Sequence, residues 1–159
     1  MLRPLAAALL CALLLAACGG GHHRQASSTP TAPAPPRQVA VRPGDERVIR
    51  GWNKAENAGN YDRAASYFAR NAIVIQSYIL QLQNHRFAKE WNSGLPCRAD
   101  ITFIRGEQAT TLVGFNLREG PTGKCKEGGT AQVRFTIRGG LIQQWMQLSE
   151  EQQQNSPAA

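Results

Sequence analysis

Few side chains in this sequence have the types and spacing that catalysis requires. His85 is the only histidine after the first 43 residues, and a single imidazole can act as a general base or simply start a helix. Arg98 and Asp100 are two residues apart, so on a strand they share one face and can form an exposed ion pair. Glu56 and Asp62 flank a predicted helix–helix turn, and we interpret them as capping, solvated carboxylates. The sequence contains no HExxH motif and no glycine-rich phosphate loop.

The N-terminus has the order of segments found in signal peptides. Residues 1–4 carry a positive charge, and Leu5 to Ala17 are thirteen residues without a polar side chain. This run is shorter than the roughly 20 apolar residues of a membrane-spanning helix and suits a signal-peptide core. It ends on Leu15-Ala16-Ala17-Cys18, which resembles the lipobox of bacterial lipoproteins.

The lipobox resemblance implies a place in the cell. Residues 1–17 would be a cleaved lipoprotein signal peptide, and Cys18 would become the first residue, carrying a diacylglycerol and a further acyl chain such as palmitate. Two or three chains anchor a protein durably in a membrane. We therefore expect a membrane lipid anchor in the cell envelope, on the extracytoplasmic side. The alternatives are an uncleaved anchor or an ordinary secretory signal with a chance cysteine.

Two further cysteines, Cys97 and Cys125, lie in the main domain. An even pair in an oxidising compartment predicts a disulfide. The alternatives are a metal pair or a redox couple, but structural zinc prefers four ligands and no CxxC spacing is present. We therefore expect no metal and no cofactor.

The chain is basic without a basic cluster. Its formal net charge is +7, or +6 once the predicted signal peptide is removed. Nucleic-acid-binding proteins concentrate Lys and Arg on one face or helix, whereas the arginines here are scattered along the domain. We expect no nucleic-acid partner and favour contact with anionic lipid headgroups near the anchor.

Composition divides the mature chain into three parts. Residues 18–43 are rich in Gly, Pro, Ser and Thr and predict a disordered tether. Residues 44–148 hold the periodic apolar pattern of one domain of ordinary size. Residues 149–159 form a polar tail without core-forming side chains.

The periodicity of the domain predicts the order ααββαββββ. Asp45 is placed to cap the first helix, and the second helix is predicted to carry Phe68. After Cys97 the pattern has period two, which places Ile101, Phe103 and Arg105 on one face of a strand. Gly139-Gly140 is a strong hairpin signal. These features predict an α+β domain with helices packed on a curved antiparallel sheet.

Two segments resemble the nuclear transport factor 2-like (NTF2-like) and SnoaL-like superfamily. ENAGNYDRAASYFARNAIVIQ, from Glu56 to Gln76, is similar to the opening helices and first strand, and VRFTIRGGLIQQWMQL, from Val133 to Leu148, is similar to the last hairpin. The resemblance implies a cone-shaped fold in which helices close over the sheet and leave a pocket. It does not imply one function, because the superfamily contains isomerases, hydrolases, cyclases and non-catalytic domains.

The catalytic positions of the superfamily are not filled in the usual way. By the resemblance, Gln76 stands where ketosteroid isomerases have their general base, and Trp52 stands near the position of their tyrosine. A glutamine cannot abstract a proton near neutral pH. Epoxide hydrolases need an Arg-x-Asp triplet, which Arg98 and Asp100 supply, and a last-strand Asp, where this chain has Gln147. We therefore lean towards a protein that is not an enzyme.

The leading hypothesis is a small apolar ligand in the cone pocket. Seven side chains are predicted to line it, although the aromatic ones could equally form a plain core: Trp52, Phe68, Gln76, Tyr78, Phe103, Phe115 and Trp145. One alternative is an interaction module that forms a homodimer or binds an envelope protein through the outer sheet face. That face carries Gln132, Arg134, Thr136 and Gln143. The other alternative is an atypical enzyme that uses His85 or Asp100 with Tyr78.

Overall fold

The computed structural model describes residues 39–121, 123, 125 and 128–154. The predicted signal peptide, Cys18 and the tether up to residue 38 lie outside this range. The helices are α1 Pro43–Asn57, α2 Tyr61–Ala65, α3 His85–Ser93 and α4 Glu150–Gln154. The strands are β1 Phe68–Ile75, β2 Ile79–Leu82, β3 Cys97–Gly106, β4 Thr111–Glu119, β5 Thr130–Arg138 and β6 Leu141–Gln147. Among these residues, no helix is long and apolar enough to cross a membrane.

The start of α1 and the end of α2 both differ from the predictions. Pro43 occupies the first turn of α1, and the N-cap position belongs to Arg42 rather than to Asp45. Asp45 is instead buried and accepts hydrogen bonds from the Arg42 guanidinium (2.8 Å) and the Thr111 hydroxyl (3.3 Å). Phe68 is the first residue of β1, not part of α2, because α2 ends after five residues.

The six strands form one sheet in the order β2-β1-β6-β5-β4-β3. Four neighbouring pairs are antiparallel, as predicted. The pair β1 and β6 is parallel, so the sheet is mixed. Because β6 returns beside β1, the first and last halves of the domain share one sheet, and β2 and β3 are left as its edges.

A bulge in β3 separates residues that the sequence pattern places together. The register shifts between Ile101, which pairs with Phe115, and Phe103, which pairs with Gly114. Ile101 packs against the core. Phe103 lies on the outer face over Gly114, where a Cβ atom would collide with its ring. The prediction that Ile101 and Phe103 share a face is therefore wrong, because a bulge reverses the alternation of side chains.

Helix α1 lies on the core face of the sheet and covers the edge of β3. The side-chain amides of Asn53 and Asn57 both donate to the Ala99 carbonyl (2.9 and 2.8 Å), and the Ala99 amide donates to Asn57 (2.9 Å). These bonds satisfy backbone groups that an edge strand would otherwise leave unpaired. The helix is thereby fixed across the concave side of the cone.

Candidate functional site

The interior of the cone is filled by aromatic side chains. The Trp52 ring contacts four others edge to face, with centroid distances of 5.6–6.5 Å. Trp91 contacts two of the same rings at 5.2 and 5.4 Å. We call these six residues the aromatic core: Trp52, Phe68, Trp91, Phe115, Phe135 and Trp145. Each of the six is buried, so the deep part of the cone is packed rather than open.

The open part of the cone is its mouth, where β1 and β6 end. The Gln76 amide donates a hydrogen bond to the Gln147 side-chain oxygen (3.1 Å). Tyr78, in the turn between β1 and β2, is 60% exposed. Depressions of about 420 and 290 Å³ lie beside Tyr78, and both also include Gln76 among their lining residues. We call Gln76, Tyr78, Gln147 and these two depressions the mouth.

The predicted pocket residues therefore occupy three different places. Gln76 and Tyr78 lie together at the mouth. Four belong to the aromatic core: Trp52, Phe68, Phe115 and Trp145. Phe103 lies on the outer face of the sheet because of the bulge in β3, away from both.

Two buried indole nitrogens have no hydrogen-bond partner. The Trp52 indole N–H donates to the Asn92 side chain (2.8 Å), which itself donates to the Ala88 carbonyl (2.7 Å). The indole nitrogens of Trp91 and Trp145 are buried without a partner. Trp91 also lines the 290 Å³ depression at the mouth. An unpaired buried donor costs free energy.

Glu56 is the interior side chain with the most perturbed ionisation. It is 8% exposed, and its Oε2 atom is buried without a hydrogen-bond partner. Burial raises the pKa of Glu56 from 4.5 to about 8, since desolvation disfavours the carboxylate. The prediction of a solvated capping carboxylate is therefore wrong for Glu56. The side chain lines none of these three depressions.

The other candidate chemical residues have structural partners. His85 is the first residue of α3, and its Nε2 atom is 3.2 Å from the Asp62 carbonyl oxygen. It lines a separate depression of about 410 Å³ between β1 and α3. Asp100 accepts a hydrogen bond from Arg118 on the neighbouring strand (2.9 Å), not from Arg98. Over the described ranges no three His, Cys, Asp or Glu side chains are grouped to hold a metal ion.

The predicted disulfide is confirmed. Cys97 and Cys125 are bonded, with their Cα atoms 5.0 Å apart. The bond ties the first residue of β3 to the loop between β4 and β5. Cys97 lies at the mouth end of the sheet, because it pairs with Glu119 at the end of β4.

Sequence reasoning missed three residues of the interior and mouth. The sequence pattern assigns no role to Trp91, and it identifies Gln147 only as the position of a missing aspartate. The sequence does indicate that Glu56 is buried, because Glu56 follows Ile49 and Trp52 at helical spacing on the buried face of α1. For Trp91, the sequence offered no signal that α3 would turn this ring towards Phe68 and Trp145.

Comparison with known proteins supports the fold through structure alone. No protein-family model matches the chain, and no curated protein is significantly similar to it in sequence. An NTF2-like protein of unknown function from Cytophaga hutchinsonii is similar in structure, with a TM-score of 0.56 and 9% identity over 74% of this chain and 98% of that one.

Two structures with named activities are also similar. A candidate ketosteroid isomerase from Kribbella flavida has a TM-score of 0.54 and 15% identity over 65% of this chain and 76% of its own. An LEH-like epoxide hydrolase from M. tuberculosis has a TM-score of 0.53 and 14% identity over 65% of this chain and 80% of its own. At these identities the likeness shows the fold and not the chemistry. The chain has the α+β cone fold of the NTF2-like proteins.

Proposed function

We propose that this protein is a lipid-anchored, extracytoplasmic NTF2-like domain that binds one small, largely apolar molecule at the mouth of the cone without catalysing a reaction. The lipobox at Cys18 supports the anchor and the location. The mouth supports the binding. The substitution of glutamine at position 76 and at position 147 supports the absence of acid–base chemistry.

The observations that carry the binding proposal are the 290 Å³ depression and Trp91, which lines it and whose buried indole N–H has no hydrogen-bond partner within the described residues. The walls of the depression include apolar side chains from β2, α3 and the segment before β3, namely Leu80, Phe87, Leu95 and Pro96. Small-molecule sites combine such walls with a few polar groups that fix orientation. The depression limits the ligand to a small molecule, with one acceptor for the indole and one group for the Gln76 amide.

Native mass spectrometry of the mature protein, extracted from its own membrane in mild detergent, tests this proposal. We expect a reproducible added mass on the wild type and on Phe103→Leu, which alters the outer face only. Trp91→Phe keeps a ring but removes the N–H donor, so its occupancy should fall. A wild-type protein that carries no added mass would contradict the ligand proposal.

The filled interior favours a second candidate, an interaction module of the envelope. A cone packed by six rings leaves only shallow space for a ligand, and the outer sheet face then becomes the larger surface. However, Arg134 on that face is already bound by Glu107 (2.6 Å), and Thr136 donates to Gln144 (3.4 Å). A mass spectrum showing a ligand-free dimer would favour this candidate.

A further inference from the structure

The chain enters the domain at the end of the sheet opposite the mouth. Val39 forms a β-bridge with Gly106, the last residue of β3. The first residue of the same strand, Cys97, lies at the mouth end. We call Val39–Arg42, the first two turns of α1 (residues 43–50), the turn at residues 107–110 and the hairpin tip Arg138–Leu141 the entry end. The β5–β6 tip belongs here because Arg138 and Leu141 pair at the end of their strands farthest from Gln147.

The point of entry is fixed by backbone packing. A Cβ atom on Gly106 would collide with the Val39 carbonyl oxygen and with the Ala40 backbone, so the chain crosses β3 at a residue without a side chain. Arg42 is fixed by its ion pair with Asp45, and its guanidinium lies 3.5 Å from the Ile137 carbonyl oxygen. Any restraint on the preceding chain therefore acts on the domain at this end.

The charged groups of the entry end leave a positive excess. Its acidic side chains are engaged by arginines: Asp45 by Arg42, Glu46 by Arg50 and Glu107 by Arg134. Arg47 and Arg138 are exposed, and within the described part of the chain neither has a salt-bridge partner.

Apolar side chains lie among these cations. Val39 is 38% exposed and Leu141 is 37% exposed, and they are two of the four large hydrophobic residues that the described surface exposes. Exposed apolar groups beside cations are the composition of surfaces that bind anionic bilayers, where the cations meet headgroup phosphates and the apolar groups enter the interface.

We propose that the entry end docks on the anionic lipid surface of the membrane and that the mouth consequently faces away from it. This inference rests on the lipid anchor of the proposed function, which brings the domain to the bilayer through the segment that ends at Val39. Each Lys or Arg near an anionic surface contributes about fivefold to association. In addition to the anchor, the unpaired Arg47 and Arg138 then favour one orientation of the domain over free rotation on the tether.

The opposite end also exposes apolar side chains, Tyr78 and Ile79, but its charges match an anionic surface less well. Its described residues include three exposed carboxylates, Glu119, Glu150 and Glu151. The loop between β4 and β5 also contains Lys124 and Lys126 in the sequence. The two lysines provide a matched control, because replacing them removes as much positive charge as replacing Arg47 and Arg138 does.

Site-specific quenching on vesicles tests the orientation with the lipidated mature protein. A fluorophore is attached to Gln108→Cys in the entry-end turn or to Ser77→Cys at the mouth, and the vesicles contain a headgroup-labelled quencher lipid. On phosphatidylcholine mixed with phosphatidylglycerol, we expect strong quenching at position 108 and weak quenching at position 77. The difference should disappear on phosphatidylcholine alone and in high salt, which screens the attraction.

Charge variants then assign the effect to the entry end. Arg47→Gln with Arg138→Gln should lower the ratio of docked to undocked protein at least tenfold, at about fivefold for each cation. Lys124→Gln with Lys126→Gln should leave the ratio unchanged. Equal quenching at both positions, stronger quenching at position 77, or equal loss in both charge variants would overturn the inference.

Vesicle flotation separates failure of this inference from failure of the anchor. If the mature protein floats with vesicles but both labels are quenched equally, the anchor stands and the docked orientation is wrong. If the protein does not float and its N-terminal peptide carries no acyl mass, the anchor itself is wrong and the orientation with it. Cys18→Ser provides the unanchored reference in the same assay.

Discussion

The interior and the mouth of the cone lie on the same face of one sheet, yet they are built from different chemistry. The interior holds six interlocked rings and the buried carboxyl of Glu56. The mouth holds a pair of uncharged amides, Gln76 and Gln147, beside the exposed ring of Tyr78. The interior therefore stabilises the domain, whereas the mouth retains exposed groups that can bind a partner molecule. Each prediction below separates these two roles.

The largest effect is expected from opening the interior. Trp52→Ala removes a ring that contacts four others and leaves the Asn92 side chain without its indole donor. We expect a loss of about 3–5 kcal/mol in the free energy of unfolding. Denaturant unfolding measures it. Tyr78→Ala at the mouth is the control and should change the free energy of unfolding by about 0.5 kcal/mol or less, as at other exposed sites. Similar losses in both variants would contradict the distinction between a stabilising interior and an exposed mouth.

The disulfide is expected to give the next largest effect. It ties Cys97, the first residue of β3, to Cys125 between β4 and β5. Cys97→Ser with Cys125→Ser should lower the free energy of unfolding by about 3–4 kcal/mol, the value for a loop of this length in the chain-entropy model. Denaturant unfolding of the oxidised and variant proteins checks the value. A variant as stable as the wild type would show that the loop is held by other contacts.

The third prediction concerns the pH dependence that Glu56 gives to the interior. Its pKa is about 8 in the folded protein and 4.5 ordinarily, so between these values the folded state binds a proton that the unfolded state has lost. Stability therefore falls as pH rises from about 4.5 to about 8 and is flat above that. We expect a total loss of up to about 5 kcal/mol, because the two pKa values differ by about 3.5 and one pKa unit corresponds to about 1.4 kcal/mol.

Glu56→Gln should abolish this slope, since the amide does not titrate, and should leave the variant more stable than the wild type at pH 8. Unfolding curves collected across pH measure both quantities. Glu107 is an internal contrast: its hydrogen bond with Arg134 lowers the pKa of that carboxyl, so its stabilisation is lost as pH falls below about 4.5. A wild-type slope that survives in Glu56→Gln would assign it to another group.

The sequence is sufficient for the order of the elements up to β6, but it does not predict α4 Glu150–Gln154 or the register and depth of particular residues. Apolar periodicity predicts the order of helices and strands, and the cysteine pair predicts the disulfide. The bulge that moves Phe103 to the outer face has no local signature, because an inserted residue leaves the alternating pattern intact on each side. The parallel pairing of β1 with β6 joins residues about 70 positions apart and depends on packing of the whole domain.

The candidate site was less predictable than the fold for a related reason. The family resemblance identifies Gln76 because it assigns a position to the end of β1, whereas Tyr78 is one of several aromatic side chains predicted to line the pocket. The resemblance does not indicate how deep a residue lies within the cone. It therefore does not show that Phe115 is buried in the core and does not line an open pocket. Whether rings fill a cavity depends on their summed volume and rotamers, and neither is encoded in residue spacing.

The smallest stability effect and the most informative binding effect should come from the amide pair at the mouth. Gln76→Ala removes the partly buried hydrogen bond to Gln147 and should lower the free energy of unfolding by about 0.5–1.5 kcal/mol. If the mouth holds a ligand, the same variant should lose occupancy in native mass spectra, because it removes a polar group that orients the bound molecule. Gln143→Ala on β6 is the control, since it removes an amide that hydrogen-bonds only the Arg138 carbonyl oxygen. Equal occupancy in the wild type and in both variants would place the ligand elsewhere, and the mouth would then be only the unpacked rim of an aromatic core.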